Sequence, residues 1–484
     1  MLAVSFPLQE EPEDVFRRFA GAPGAAVLAS GSEPRPCPRF PLARWSFVAV
    51  RPFLVLSYDQ GGLVANPGVV DNLSGHPLHA LEKLLAEFRL PAATDTPVPF
   101  PGGAVGYLSY ELRTAIERVP ARGGDVPALP HLYFAFYDAT VAIDHHRREV
   151  WIISTGLPEK GSARTARARL RYEELRRWFF RRPESEPQPH PRIAGPASSL
   201  VSSFTRPAYL AAVRRVKEYI AAGDVYQVNL SQRFSSPAAL PAFPVFLELL
   251  RTNPVPFAAY FSGPGFTVVS SSPERFLHFD AATRVVHTRP IKGTRPRGNT
   301  PEADGRLARE LLQSEKDRAE HVMIVDLERN DLGRVAEAGS VGVPEFCVLE
   351  PFPTVHHLTS TVEARLPPET GVAGLLRATF PGGSITGAPK IRAMEIIDEI
   401  EPVARGIYTG AIGYFGFNGN LDLNIAIRTM VLTGNGLHFH VGGGIVWDSD
   451  PERREYQETL DKAAALFRAI GHDDKGGVNC AGVP

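Results

Sequence analysis

Two Asn-Gly dipeptides, Asn418-Gly419 and Asn435-Gly436, interrupt a long stretch of alternating apolar residues and leave it few ways to fold. Asn-Gly suits the central positions of a type I′ turn, whose twist matches that of the strands it joins. The flanking runs GIYTGAIGYFGF, LDLNIAIRTMVL and LHFHVGGGIVW are therefore expected to be antiparallel neighbours. In LDLNIAIRTM, Leu421, Leu423, Ile425 and Ile427 alternate with Asp422, Asn424, Ala426 and Arg428, which gives an extended strand one core face and one polar face. Arg428 emerges on the polar face, either solvated or placed to grip a carboxylate bidentately. Tyr408 is expected on the neighbouring strand, lining the same surface.

Upstream, from residue 1 to about 160, strand-like runs (AAVLAS, SFVAV, FLVLSY, LYFAFYDATVAI, EVWIIS) alternate with one helical stretch, HPLHALEKLLAEF. An arginine-rich helical pattern follows over 162–181 and is expected to present a solvated face. The Pro- and Ser-rich stretch after it reads as a linker. The expected division is an N-terminal α/β region at 1–181, a linker at 182–203, a second region at 204–470 that opens on a helix stopped by Gly223, and a disordered tail at 471–484. Mixed helices and antiparallel strands make the fold class α+β.

Charge narrows the function classes. Lys and Arg number 52 against 53 Asp and Glu, so no basic excess favours nucleic acid or an anionic membrane, and a small ligand is expected. Cys37, Cys347 and Cys480 lie far apart with no metal-ligand spacing and read as reduced thiols of a cytoplasmic protein. The N-terminus turns acidic at once, unlike a signal peptide. No apolar run reaches the roughly 18–20 residues that span a bilayer.

Two helices carry carboxylates at suggestive spacings. The last is expected to start with Asp450 as N-cap and Pro451 in its first turn, and to end at Gly471. At about 100° per residue, Glu455, Glu458 and Lys462 share one stripe beside the apolar face. By itself a Glu458–Lys462 pair is ordinary surface chemistry. In SEKDRAEHVMIVDLERNDLGRV, however, Asp317 and Glu320 repeat the i,i+3 carboxylate spacing ahead of an apolar stretch, so that helix should be substantially buried. Buried carboxylates need partners. A hard cation shared between the helices would serve both, and Mg²⁺, which takes oxygen ligands and keeps waters, fits best.

Several loops are ambiguous on local evidence. PGGSITGAPK is glycine-rich but lacks the Lys-Ser/Thr of a phosphate loop. Its backbone near Thr386, Gly387 and Ala388 could hold a carboxylate at the start of the next helix, or it is a plain turn. His356 and His357 should point to opposite faces of an extended segment. Glu274 in SSPERF is a candidate general acid, or a turn carboxylate paired to Arg275. Lys292 in RPIKGTRPRG is either one more solvated charge or a group whose neighbours alter its chemistry.

Taken in order and spacing, GDVYQVNLSQRF, SSPERF, RPIKGTRPRG, KDRAEHVMIVDLERNDLGRV, VHHLTS, FPGGSITGAPK, YTGAIGY, NIAIRT and GGGIVWDSDPERREYQET resemble the chorismate-utilising enzymes over about 205–470. RWSFVAV and its surroundings resemble the N-terminal part of the anthranilate and aminodeoxychorismate synthase large components. The resemblance implies an anthranilate-synthase-type fold, an antiparallel β-sandwich core with helices packed outside. It further implies Mg²⁺ held by Glu320 and Glu458 with Glu455 and Asp317 nearby, chorismate carboxylates surrounded by Tyr408, Arg428, Thr386, Gly387, Gly443 and Lys462, Glu274 as general acid, and His357 against the ring. Water-adding members carry a lysine where this chain has Gln227, which points to ammonia as the nucleophile. Anthranilate synthases have a small residue at the Lys292 position, whereas PIKGT resembles the aminodeoxychorismate synthase large components, in which the lysine attacks ring C2. A free lysine needs desolvation or a neighbouring like charge to be nucleophilic, which Arg289 and Arg295 would supply if they faced it. Implied partners are a separate glutamine amidotransferase subunit supplying ammonia and a separate aminodeoxychorismate lyase downstream. The competing expectations are an anthranilate synthase large component and an inactive chorismate-binding regulatory subunit.

Overall fold

Alternating apolar runs assemble into two large sheets stacked face to face in a computed structural model describing residues 1–31, 42–59, 62–65, 73, 75–91, 96–120, 129–181, 200–450 and 454–472. Among the described residues one sheet has twelve strands and the other eleven, and every pairing is antiparallel. Phe47, Phe261 and Phe266 from the first sheet interdigitate with Tyr107, Ile412 and Tyr414 from the second. Ring pairs such as Phe47–Tyr414, at 5.6 Å between centroids, join the layers, each contributing roughly 0.5–1.5 kcal/mol beyond burial. Helices cover the outer faces: Gly161–Phe179, Ala242–Thr252 and Glu455–Ala469 on the first sheet, and Pro77–Glu87, Glu315–Gly333 and Val372–Thr379 on the second. The chain thus adopts the expected α+β sandwich with helices outside.

Both sheets draw strands from before and after the expected linker. Ala26–Ala29 pairs with Phe257–Gly263, and Gly103–Leu108 pairs with Ala411–Gly416. Of the expected linker at 182–203, residues 182–199 lie outside the described residues, and Val201–Ser202 pairs as a short strand with Phe234 and Ser235; of the expected tail at 471–484, residues 473–484 lie outside them.

Both Asn-Gly turns join antiparallel strands: Ala411–Gly416 with Leu421–Ile425, and Thr429–Thr433 with Gly436–Ile445. The runs between them nevertheless correct the reading of single long strands. LDLNIAIRTMVL leaves the second sheet at Ile425 and enters the first at Thr429, turning at Arg428, whose φ of 50° is uncommon for a residue with a side chain. LYFAFYDATVAI crosses in the same way, with Leu132–Tyr137 in the second sheet and Ala139–Asp144 in the first. Period-2 alternation reports a strand but not the sheet it joins. Tyr408, expected on a strand, lies in the turn before Ala411–Gly416. The final helix spans Glu455–Ala469 with Arg454, not Asp450, as its N-cap, and Pro451 falls outside the described residues.

The crossing at Asp138 also corrects the reading of the arginine-rich helix. Its face is not wholly solvated, because Arg167 Nε and Arg171 Nε donate to the fully buried Asp138 carboxylate at 2.7 and 3.1 Å. Removing one partner of a buried pair leaves uncompensated charge, at a cost of about 3–5 kcal/mol. Asp138→Ala is therefore expected to lower stability by about 3 kcal/mol, partly offset by the exposure of Arg167, as read by urea denaturation.

Candidate active site

The side chains singled out from sequence come from elements far apart in the chain. Lys292 lies on Ile291–Pro296, and its Nζ donates to the Ser384 carbonyl at 2.8 Å. Burial pulls its pKa below that of an ordinary lysine, opposed chiefly by Glu274 and Glu320, while Lys462 lowers it further. The like charge therefore comes from Lys462 and not from the arginines. Arg289 pairs with Glu350 at 2.7 Å and Glu345 at 3.2 Å, and Arg295 pairs with Glu310 and Asp317. Proximity in sequence gave those arginines an apparent role that non-local carboxylates absorb.

Glu274 precedes the strand Arg275–Asp280 and is 4 % exposed. Burial raises its pKa, opposed by the Ser384 hydroxyl and then by Lys292, so the carboxyl is driven toward its protonated form while Lys292 is driven toward the free amine. Arg275 is not its partner, for it makes a bidentate pair with Asp422. A proton donor and a nucleophile-capable amine thus stand beside each other.

Arg428, at the crossing between sheets, donates from Nη1 to Asn253 Oδ1 at 3.2 Å. Burial lowers its pKa to about 10, and among the described residues no carboxylate pairs with it. A half-buried guanidinium without a counter-charge favours an anionic ligand. Gln227 is fully buried with neither amide atom hydrogen-bonded. It lies against bare backbone: a Cβ on Gly444 would come 2.6 Å from its Nε2, and a Cβ on Gly387, at φ +147°, would come 2.1 Å from its carbonyl oxygen. Side chains at those glycines would displace it.

The glycine-rich loop is neither a phosphate cradle nor an open helix terminus. Gly387–Ala388 pairs as a short strand with Gln227–Val228, and Thr386 donates its hydroxyl to the Gly382 carbonyl at 2.9 Å. His356 and His357 do diverge, His356 to Asp304 and His357 Nδ1 to Thr294 Oγ1 at 2.9 Å. Burial, with Arg428 nearby, lowers the His357 pKa to about 3, so the ring is neutral near pH 7 with its buried Nε2 unpaired. Tyr408 is buried and stacks on His440, ring centroids 5.3 Å apart.

The carboxylates of the two helices act on one another. Glu320 is raised by burial, opposed first by Lys292 and reinforced by Asp317 and Glu458, and Glu455 is raised by burial with contributions from Glu458 and Glu320. Lys462 lies 2.7 Å from Glu458 and lowers its pKa, and a Cβ on Gly443 would sit 3.2 Å from Glu458 Oε1. Lys462 and Glu458 keep 43 % and 47 % of their side-chain surface accessible, so the pair borders solvent. Asp317 gives its carboxylate to Arg295 at 2.9 Å. Among the described residues no cluster of three or more His, Cys, Asp or Glu side chains is preassembled around a metal position.

Sequence reading missed Ser384, whose carbonyl holds Lys292, Lys316, which lies 3.8 Å from Glu320, and Arg405, which is fully buried. The first acts through its backbone, and the other two stand four residues from their carboxylate partners, Glu320 and Glu401, a spacing too commonplace to single them out.

A sandwich that gathers an electrostatically coupled amine and acid, an uncompensated guanidinium and a group of carboxylates has the makings of an enzyme acting on a small anionic molecule. The family described as chorismate binding enzyme matches residues 45–468, and the chain belongs to that family of chorismate-utilising enzymes. It is 39 % identical to aminodeoxychorismate synthase component 1 of Escherichia coli over 96 % of each chain. It is 44 % identical to anthranilate synthase component 1 1 of Haloarcula marismortui over 83 % of this chain and 82 % of that one. The crystal structure of anthranilate synthase component I from Streptococcus pneumoniae superposes with a TM-score of 0.74 at 31 % identity, covering 96 % and 99 % of the two chains. Among the described residues no helix is long and apolar enough to cross a membrane.

Proposed function

We propose that this chain aminates chorismate at ring C4, giving 4-amino-4-deoxychorismate for p-aminobenzoate and folate synthesis, as an aminodeoxychorismate synthase large component. The observation that carries the reading is Lys292, an amine whose pKa burial lowers, held on the Ser384 carbonyl beside the buried acid Glu274. Lys292 adds to ring C2 as the C4–O bond breaks, and Glu274 protonates the departing hydroxyl, which leaves as water. Glu274 regains a proton from the alkylated Lys292. Ammonia then forms the C4–N bond as the C2–Nζ bond breaks, and a proton passes from the new ammonium to the lysine. The net change is chorismate plus ammonia to the amino product plus water.

Arg428 would take a substrate carboxylate, with Tyr408, Lys462 and the backbone of Thr386, Gly387 and Gly443 around it. Neutral His357 would lie against the ring, and the unpaired Gln227 amide would receive ammonia. The carboxylate group fits a resident Mg²⁺: Glu320 and Glu455 are hard oxygen donors that repel one another with no cation within hydrogen-bonding distance, and an ion that keeps its waters needs only a few such donors. Glu320 and Glu458 would hold it, with Glu455 and Asp317 outside them. When bound, the ion would neutralise a substrate carboxylate. A glutamine amidotransferase subunit would supply ammonia, and a separate aminodeoxychorismate lyase would act on the product, both in the cytoplasm.

The 44 % identity to a protein named anthranilate synthase supports a second reading, amination at C2 with loss of pyruvate. Purified chain with chorismate, Mg²⁺ and an ammonium salt separates the two. Consumption of chorismate without pyruvate, and p-aminobenzoate only after a lyase is added, is expected. Fluorescent anthranilate with stoichiometric pyruvate and no lyase would reverse the assignment.

A further inference from the structure

Arg405 has no part in the chemistry above, yet it is one of the largest fully buried side chains. Every nitrogen of its guanidinium is engaged. Nε donates to Glu401 Oε2 at 2.9 Å, Nη1 to the Ile385 carbonyl at 3.0 Å and Thr409 Oγ1 at 3.2 Å, and Nη2 to the Asn229 carbonyl at 2.5 Å and Glu401 Oε1 at 2.7 Å. Tyr110 packs its ring against the guanidinium, 4.8 Å away.

The acceptors belong to the three segments that carry the site. Ile385 follows Ser384, whose carbonyl holds Lys292. Asn229 is two residues beyond Gln227 on the same strand, and its N–H donates to the Thr386 carbonyl at 2.8 Å. Thr409 follows Tyr408 and donates its hydroxyl to the Tyr408 carbonyl at 2.6 Å. Glu401, the counter-charge, also accepts from Ser231 N and Oγ at 2.7 and 2.9 Å.

We infer that Arg405 is a positioning residue, whose single guanidinium fork locks the 384–386 loop, the Gln227–Ser236 strand and the Tyr408–Thr409 turn into one register. Thereby it sets where Lys292, Gln227 and Tyr408 stand relative to one another. A lysine keeps the charge but offers three donors on a flexible stem in place of a planar fork, so it cannot reach all three segments and Glu401 together. Misplacement of reacting groups by about 1 Å costs about 100-fold in rate. The inference rests on the proposed function only for its kinetic readout.

Two measurements on the full chain test it. Arg405→Lys should fold, keep its Mg²⁺ dependence, and lose about 100-fold in kcat/KM for chorismate with ammonium, with the larger share in kcat. A folded variant with the parent's kcat and KM overturns the inference. In the parent protein, hydrogen exchange of the Asn229, Ser231 and Thr409 amides should follow one common opening free energy. Three independent values overturn the inference, and this arm decides the matter if the lysine variant does not fold. A parent that turns over no chorismate defeats the proposed function instead, and the exchange arm still stands.

Discussion

Replacing Lys292 with alanine is expected to abolish formation of the 4-amino product, lowering kcat by about 1,000-fold or more while the protein still binds chorismate. Removing a nucleophile that acts with a partnered acid forfeits the whole covalent route and not a single contact. Lys292→Arg should fare no better, because a guanidinium stays protonated. The reaction needs Lys292 as free amine and Glu274 as acid. Its rate should therefore rise with pH where the amine is freed and fall where the acid is lost, and burial moves the two pKa values toward each other from the ordinary lysine and glutamate ranges. Glu274→Gln should remove the high-pH fall, since the group whose ionisation causes it is gone. Steady-state rates across pH for parent and variants check this. Undiminished amination by Lys292→Ala would mean that ammonia attacks the ring without a covalent stage.

Fold and site were legible to different depths, for identifiable reasons. The Asn-Gly turns declared their hairpins because turn chemistry is local. The two crossings between sheets were hidden, since Asp138 and Arg428 sit inside runs whose alternation continues through them and neither is a glycine. Glu455, Glu458, Lys462, Asp317 and Glu320 declared themselves by helical spacing, but that spacing could not say that Asp317 would be taken by Arg295. Lys292 drew notice for its neighbouring arginines, and these turned out to be neutralised by Glu345, Glu350 and Glu310, residues remote in sequence. Arg405 was overlooked although Glu401 stands four residues before it, because such spacings are commonplace and its two remote bonds run to the backbone carbonyls of Ile385 and Asn229, which no side-chain pattern announces.

Neutralising Glu320 or Glu458 is expected to end turnover without unfolding the chain, and the physical signature differs from that of losing Lys292. Without metal, burial disfavours the Glu320 charge by more than Lys292 and Lys316 favour it, and Asp317 and Glu458 add to the penalty. Glu320→Gln removes that net penalty, so in EDTA the variant should melt no lower than the parent. Added Mg²⁺ should raise the parent's melting temperature, since a ligand held only by the native state stabilises it by about 2.7 kcal/mol at 100 times its Kd. The same addition should leave the glutamine variant unmoved, because an amide oxygen is a poorer ligand than a carboxylate for a hard cation. Glu458→Gln should also free Lys462 from its 2.7 Å partner, and so strengthen metal-free chorismate binding as the released ammonium meets a substrate carboxylate. Lost turnover therefore belongs to the metal only where the Mg²⁺-dependent melting shift disappears with it. Full activity of Glu320→Gln at saturating Mg²⁺, or a melting shift equal to the parent's, would show that the carboxylates serve some purpose other than holding the ion.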